Sequence, residues 1–288
     1  MPRLRVLSLN LWHKEAPWEQ RREVIRRGLR ALDPDIIGLQ EVLELRLGEH
    51  KQNQAEELLR DLGYHYVFGA AQVLGAGFEL GNAIASKYPL HGHQVTPLPR
   101  GESSDTRSVI DVRVETPHGD VPVFVTHLNW KLHHGSVRIR QVRTLVDLIE
   151  QRAPIGETFA PILMGDFNAE PESDEIRFLR GFATLRGESD PPDGKSVFFA
   201  DAWAYGGDGS AGFTFDRRNP YAARSHEPPR RIDYIFVRGP DAKWRGEPLT
   251  TRVVFDQPED GIWASDHFGL YTELSTEAET PAWVPTEL

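Results

Sequence analysis

Pro161-Ile162-Leu163-Met164-Gly165-Asp166-Phe167-Asn168 joins a short apolar run to a glycine, an acid and an amide. An apolar run of this length ended by a glycine reads as a buried strand that stops abruptly. Asp166 and Asn168 follow two residues apart, and in an extended chain such positions point to the same side. An acid and an amide then project together from the end of a core strand, a place suited to water, a hard cation or a phosphoryl oxygen. Asp and Asn are also ordinary turn formers. Both readings stay open on this stretch alone.

The flanking sequence repeats the pattern. Residues 121–126 read as a strand ended by His127. Ser136 begins the strongest helix, with Val142, Leu145, Val146 and Ile149 along one face. After Asn168, Ser173-Asp174-Glu175 offers an N-cap and an acidic first turn to a short helix. Residues 187–229 are rich in Gly, Pro and charge and read as loops, followed by strands at 232–237, 251–255 and 268–273. Toward the amino end, a strand at 3–9 runs into Asn10-Leu11-Trp12-His13, and a helix at 18–32 is stopped by Asp33-Pro34. A strand at 35–39 ends at Gln40-Glu41, a helix at 54–62 is closed by Gly63, and strands follow at 83–86 and 108–114. Mixed strands and helices, with late strands close together, imply an α/β protein of two packed sheets with helices outside. The expected organisation is one catalytic domain over residues 1–275 and a polar, proline-containing C-terminal tail, 276–288, that is poorly ordered.

Composition narrows the function classes. The chain has 288 residues and a formal net charge of -10, which argues against a general DNA-coating protein, while a local basic patch would still serve a nuclease. Clustered carboxylates fit a divalent-cation site. With no cysteine, disulfides and thiolate zinc sites are excluded. No apolar leader or membrane-spanning run is visible, so a cytoplasmic location is expected. No hydrophobic hairpin or basic amphipathic helix points to membrane docking, and no segment points to an obligate protein partner.

Asn10, Glu41, His127, Asp166, Asn168, Asp266 and His267 all sit at the edges of expected apolar strands, and Asp233 lies inside one. A carboxylate flanked by Ile232, Tyr234 and Ile235 is costly to bury unpaired, and a histidine is a natural partner. Each residue has an ordinary alternative: a solvated acid for Glu41, a satisfied core histidine for His127, a turn residue for Asp266. Those alternatives do not explain the joint occurrence of all of them in this order.

Asn10-Leu11-Trp12, Leu39-Gln40-Glu41, Gly81-Asn82-Ala83-Ile84, Thr126-His127-Leu128, Gly165-Asp166-Phe167-Asn168, Ile232-Asp233-Tyr234 and Ser265-Asp266-His267 resemble the signature blocks of the endonuclease/exonuclease/phosphatase superfamily, the DNase I-like metal-dependent hydrolases. The resemblance spans nearly the whole chain. It implies a four-layer α/β/β/α sandwich, two mixed sheets flanked by helices, and Mg²⁺- or Mn²⁺-dependent cleavage of phosphoester bonds. Residue by residue it puts Glu41 on the metal, with Asn10 and Asp266 completing the metal environment. Asp166 would orient and deprotonate the attacking water, and Asn168 would donate to a phosphate oxygen. His267 would face the phosphate with Asp233 fixing its tautomer, and His127 would donate to developing charge. Whether Asp166 or His267 takes the proton is left open by the motif.

The substrate is less legible. AP endonucleases usually carry a Tyr where this chain has His127, which turns the reading away from them. Trp12 and Trp130 are candidates to stack on a base or line a pocket. Arg138, with Arg140 and Arg143, and Arg224, with Arg217, Arg218, Arg230 and Arg231, are candidates for a phosphate-binding rim; solvated surface is the alternative. The preferred reading is a phosphodiesterase of small or nucleotide-like substrates, with a DNA or RNA nuclease as the alternative. A phosphomonoesterase, a sphingomyelinase-like hydrolase and a noncatalytic binding protein rank below these.

Overall fold

Two β-sheets form the centre of the computed structural model, which describes residues 3–154, 156, 158–185, 197–239, 241 and 245–277. Residues 186–196, within the Gly- and Pro-rich stretch, and 278–288 of the C-terminal tail lie outside the described residues. The first sheet runs β12 (Pro248–Val254), β13 (Gly269–Ser275), β1 (Arg3–Asn10), β2 (Ile36–Leu47), β5 (Phe78–Ser86) and β4 (His65–Gly75), with β3 (His50–Asn53) paired to β2. The second runs β10 (Ala200–Asp201), β11 (Asp233–Val237), β9 (Ile162–Asp166), β8 (Gly119–His127), β7 (Arg107–Thr116) and β6 (Leu90–Leu98). β1 and β2 pair in parallel, as do β8 and β9, and the other pairings are antiparallel.

Alternation along the central strands builds the layers. Val6, Ile36, Ile84, Val123, Val125, Ile162, Met164 and Ile235 fill the space between the sheets. Their neighbours point the other way. Leu7, Ile37 and Ala83 pack with Val24, Ile25 and Leu29 of α1 (Trp18–Leu32) and Leu58 of α2 (Gln54–Leu59). Phe124, Leu163, Tyr234 and Phe236 pack with Val142, Leu145 and Ile149 of α3 (Gly135–Arg152) and Phe178 of α4 (Asp174–Leu179). Both faces of each central strand are buried, which is why these strands read as near-continuous apolar runs. The result is the helix–sheet–sheet–helix sandwich that the sequence implies.

Several local expectations change. Gly165 does not stop its strand, because β9 continues through Asp166. Its role is steric: φ is 141°, and an added Cβ would lie 1.9 Å from the Thr126 carbonyl oxygen on the neighbouring β8. Gln40-Glu41 does not end β2 either. The strand shifts register between Leu39 and Val42, with Glu41 at a φ of 54°, and then continues to Leu47. α2 stops at Leu59, ahead of Gly63, and Ser173 occupies the N-cap of α4 without a side-chain capping bond. β3, β4 and β6 have no counterpart in the sequence reading, since their buried and exposed positions follow no clean alternation. The β4–β5 hairpin tip also exposes Val73, Leu74 and Phe78, with Leu47 exposed on β2, so an apolar hairpin is present after all. Among the described residues no helix is long and apolar enough to cross a membrane.

Candidate active site

Strand pairing brings the titratable residues together. His127 lies beside Asp166 in the parallel β8–β9 pair, and Asp166 lies opposite Asp233 in the antiparallel β9–β11 pair. Three adjacent strands of one sheet therefore deliver three ionisable side chains to one end. The facing sheet supplies Asn10 at the end of β1, Glu41 at the irregularity in β2, and Asp266-His267 just before β13. A register irregularity of this kind turns a side chain out of the regular alternation.

Asp166 Oδ2 is the focus. It accepts from Asn10 Nδ2 at 3.0 Å, and lies 3.3 Å from His127 Nε2 and 3.8 Å from His267 Nε2. Its Oδ1 accepts from the Asn168 N–H at 2.9 Å, closing a tight turn in which Asn168 has a φ of 50°. The acid and amide therefore meet through a turn, and not as two side chains of an extended strand. Asn168 Nδ2 donates to the Leu128 carbonyl at 3.2 Å and keeps a second hydrogen.

His267 Nδ1 bonds Asp233 Oδ2 at 2.9 Å, leaving Nε2 directed at Asp166. The Asp233 N–H donates to Thr214 Oγ1 at 3.1 Å, while Asp233 Oδ1 is buried with no hydrogen-bond partner. Burial opposes a charged His267. The carboxylates of Asp233, Asp166 and Asp266 outweigh it and hold the pKa well above the ordinary histidine value. His127 goes the other way: burial, then the positive charges of Arg107 and His267, keep its imidazole neutral. Burial, reinforced by Asp233 and opposed by His267, Asn168 and Asn10, lifts Asp166 to about 7. Asp266 is lifted to about 6, chiefly by burial, with His267 opposing and Glu41 adding to the rise.

Asn10 bridges the carboxylates. Its Oδ1 accepts from the Trp12 N–H at 2.9 Å, which fixes the amide orientation, and its Nδ2 reaches Glu41 Oε1 at 3.3 Å as well as Asp166. Glu41 and Asp266 form no ion pair among the described residues, although each feels the other's charge. Neither is bonded to a cation among these residues, although the charge of Arg21 reaches both, and together they make an all-oxygen donor set that fits a hard dication. Donor atoms of Asp166, Asp233 and His267 also lie within 4.8 Å of one another. The bond between Asp233 and His267 already engages that group, so Glu41 and Asp266 are the better-suited pair.

Arg21, missed in the sequence reading, ties the site loops together. Fully buried, it donates to the carbonyls of Leu11 and Glu15 after β1 and of Ala264 before β13. The signal was readable: an arginine three residues after Trp18 and four before Ile25 sits within the apolar stripe of α1. Arg107, at the start of β7, was also missed; nothing but its place before an apolar strand marked it.

The expected substrate contacts divide. Trp12 is half-buried and packs against Tyr221 with ring centroids 5.0 Å apart, and exposed Arg224 lies 5.6 Å from Trp12 and 5.7 Å from Tyr221. Trp130 is 55% exposed on the loop after His127. Arg138 is a correction. Its buried guanidinium donates to Glu175 Oε1 at 2.6 Å and to the Asn129 and Lys131 carbonyls, so it braces the Trp130 loop and faces no substrate. Arg230 and Arg231 likewise pair internally, with Glu227 and Asp201, and Arg218 pairs with Asp216 and Asp256.

Comparison with known proteins agrees with this geometry. The profile of the Endonuclease/Exonuclease/phosphatase family matches residues 7–267. The protein called Protein angel from Drosophila melanogaster is 27% identical over 189 residues, 61% of this chain and 50% of that protein. The chain thus spans about half the length of that curated relative. The crystal structure of an endonuclease/exonuclease/phosphatase from Beutenbergia cavernae DSM 12333 superposes with a TM-score of 0.68 at 27% identity, covering 96% of this chain and 72% of that one. D. rerio TDP2 complexed with single strand DNA product shares the fold, with a TM-score of 0.70 at 18% identity over 96% of this chain and 100% of that one. The human Nocturnin catalytic domain with bound sulfate anion does so too, at 0.68 and 20% identity over 95% and 93%. With matched profile, fold and gathered signature residues together, this chain belongs to the endonuclease/exonuclease/phosphatase family.

Proposed function

We propose that the protein is a Mg²⁺- or Mn²⁺-dependent phosphodiesterase acting on small or nucleotide-like substrates by in-line attack of water on phosphorus. The observation that carries this reading is the chain of contacts from Asp233 through His267 to Asp166, with His127 on the same Asp166 oxygen. Glu41 and Asp266 would hold the cation, with Asn10 steering Glu41. When bound, it would polarise the phosphoryl oxygens and stabilise the leaving oxygen.

The chain's own residues divide the remaining work. Asp233 engages His267 Nδ1, so His267 presents a protonated Nε2 and acts as a donor toward the phosphate. A donor in that position leaves Asp166 as the group that orients the water and takes its proton. Neutral His127 and the free Asn168 amide hydrogen donate to charge that develops on the phosphoryl oxygens. The buried turn around Asp166 keeps these donors fixed before reaction.

A nuclease is the second reading, favoured by the Trp12–Tyr221 pair, its rings inclined by 30°, with Arg224 beside both, a cationic aromatic ledge that suits contact with a base. The TDP2 relative, seen with single strand DNA product, is compatible with it. A metal-loaded substrate panel separates the two. Turnover of nucleotide phosphodiesters with little degradation of single-stranded or duplex DNA supports the first reading, and the reverse ranking supports the second. Absence of turnover on all phosphoesters rejects both.

A further inference from the structure

Asn219 is a fully buried amide in the Gly-, Pro- and charge-rich stretch that reads as plain loop in the sequence. Both ends of its side chain are committed. Oδ1 accepts from the Tyr221 N–H at 3.0 Å, a two-residue turn typical of asparagine, and Nδ2 donates to the Ser265 carbonyl at 2.7 Å. The main chain is held as well: the Asn219 N–H donates to the Asp216 carbonyl, and its carbonyl accepts from the Ala223 N–H. The amide is thus fixed within its own loop before it reaches Ser265, 46 residues further along the chain.

The Ser265 carbonyl belongs to the peptide unit that leads into Asp266. That unit is planar, so fixing its oxygen also fixes the Asp266 nitrogen. The turn that follows is built on this base. Ser265 Oγ donates to Asp266 Oδ1 at 3.2 Å and accepts from the His267 N–H at 3.4 Å. One residue earlier, Arg21 holds the Ala264 carbonyl at 3.1 Å. Two side chains from distant parts of the sequence therefore clamp consecutive carbonyls ahead of Asp266, whose carboxylate has no ion pair among the described residues and takes its aim from the backbone beneath it. The same two side chains meet the aromatic ledge. Arg21 lies 5.0 Å from the Trp12 ring, and Asn219 caps the turn at Tyr221.

We propose that Asn219 is a positioning residue for Asp266: its amide locks the Tyr221 loop to the peptide before Asp266 and so holds that carboxylate where, with Glu41, it would take a divalent cation. This rests on the reading of Glu41 and Asp266 as the cation's ligands. It adds a physical link between the ledge and the cation site.

The test is calorimetric titration of the metal-free protein with Mn²⁺, for the wild type, Asn219→Ala and Asn219→Ser, with melting temperatures recorded. Asn219→Ser keeps an oxygen that can cap the Tyr221 turn but is too short to hold the Ser265 carbonyl. Both variants are expected to bind Mn²⁺ about 10- to 100-fold more weakly, the loss that follows removal of a group orienting a metal ligand. In an Asp266→Asn background the same two changes should cost almost nothing further, because both act through one carboxylate; a merely structural role would add its loss in either background. Bis-p-nitrophenyl phosphate turnover lost in the Asn219 variants should return as Mn²⁺ is raised. Equal Mn²⁺ affinity in the wild type and a folded variant overturns the proposal, as does an undiminished loss in the Asp266→Asn background. Should Asn219→Ala fail to fold, Asn219→Ser decides by the same comparison. Mn²⁺ binding that is indifferent to Asp266→Asn overturns the proposal together with the ligand assignment. A wild type that binds Mn²⁺ through Asp266 and Asn219 but hydrolyses no phosphodiester leaves the clamp standing and removes the proposed function.

Discussion

At the residue scale, the site is a set of opposed protonation preferences. His267 is held charged by three carboxylates, while His127, equally enclosed, is held neutral. Asp233 makes the difference through its direct bond to His267. Asp233→Asn is expected to leave the fold intact and to lower turnover by about 10²- to 10⁴-fold, as when a histidine loses its orienting acid. Steady-state kinetics beside a melting curve check this, and unchanged turnover would remove Asp233 from the mechanism. Gly165 is the steric counterpart. With no room for a Cβ against Thr126, Gly165→Ala should destabilise the protein by about 2 kcal/mol or more, read from urea unfolding. The sequence made Gly165, Asp166 and Asn168 visible as a group. It could not show that the glycine serves a close strand approach, because that contact comes from a strand some forty residues away, β8.

At the element scale, the strands that carry the site are the most legible parts of the chain. β8, β9 and β11 bury both faces, so their apolar runs announce them and their polar ends stand out. β2 is legible only as far as Leu39, because the irregularity that aims Glu41 imitates a strand end. Beyond it, buried Glu44 anchors the β2–β3 pair and α2. It accepts from Asn53, whose own Oδ1 caps α2, and it pairs with Arg46 and Lys51. Burial pushes the Glu44 carboxyl upward, but Lys51, Asn53 and Arg46 together hold its pKa below the ordinary value. A depressed carboxylate contributes stability above its unfolded pKa and loses it as pH falls through the folded one. Glu44→Gln should therefore cost about 1–2 kcal/mol at neutral pH, and the gap to wild type should close in acid below the folded pKa. Urea midpoints at the two pH values check this, and a gap independent of pH would contradict it.

At the scale of the whole molecule, the sandwich has one purpose that the sequence hints at and the structure makes explicit: both sheets end at the same cleft, and each brings its own chemistry. The first supplies Asn10, Glu41, Asp266 and His267, the second His127, Asp166 and Asp233. Arg21 joins the loops within the first set, holding residues 11–15 and 264 in place. The layered fold was legible because it is written in hydrophobic patterning. The rim was not, because arginines look alike in sequence whether they pair internally, as Arg138 and Arg231 do, or form no ion pair among the described residues, as with Arg107. The net charge of -10 gives such exceptions weight, since an anionic substrate needs a local cation to approach this surface.

The proposed mechanism has Asp166 activate water in a cation-dependent phosphodiesterase. It is tested most directly by following hydrolysis of bis-p-nitrophenyl phosphate by wild type and Asp166→Ala with Mn²⁺, before and after EDTA. Wild-type turnover is expected to be abolished by EDTA and restored by added Mn²⁺, and a folded Asp166→Ala protein to be slower by about 10³-fold or more. Wild-type hydrolysis indifferent to EDTA, or near-normal turnover by Asp166→Ala, would contradict it.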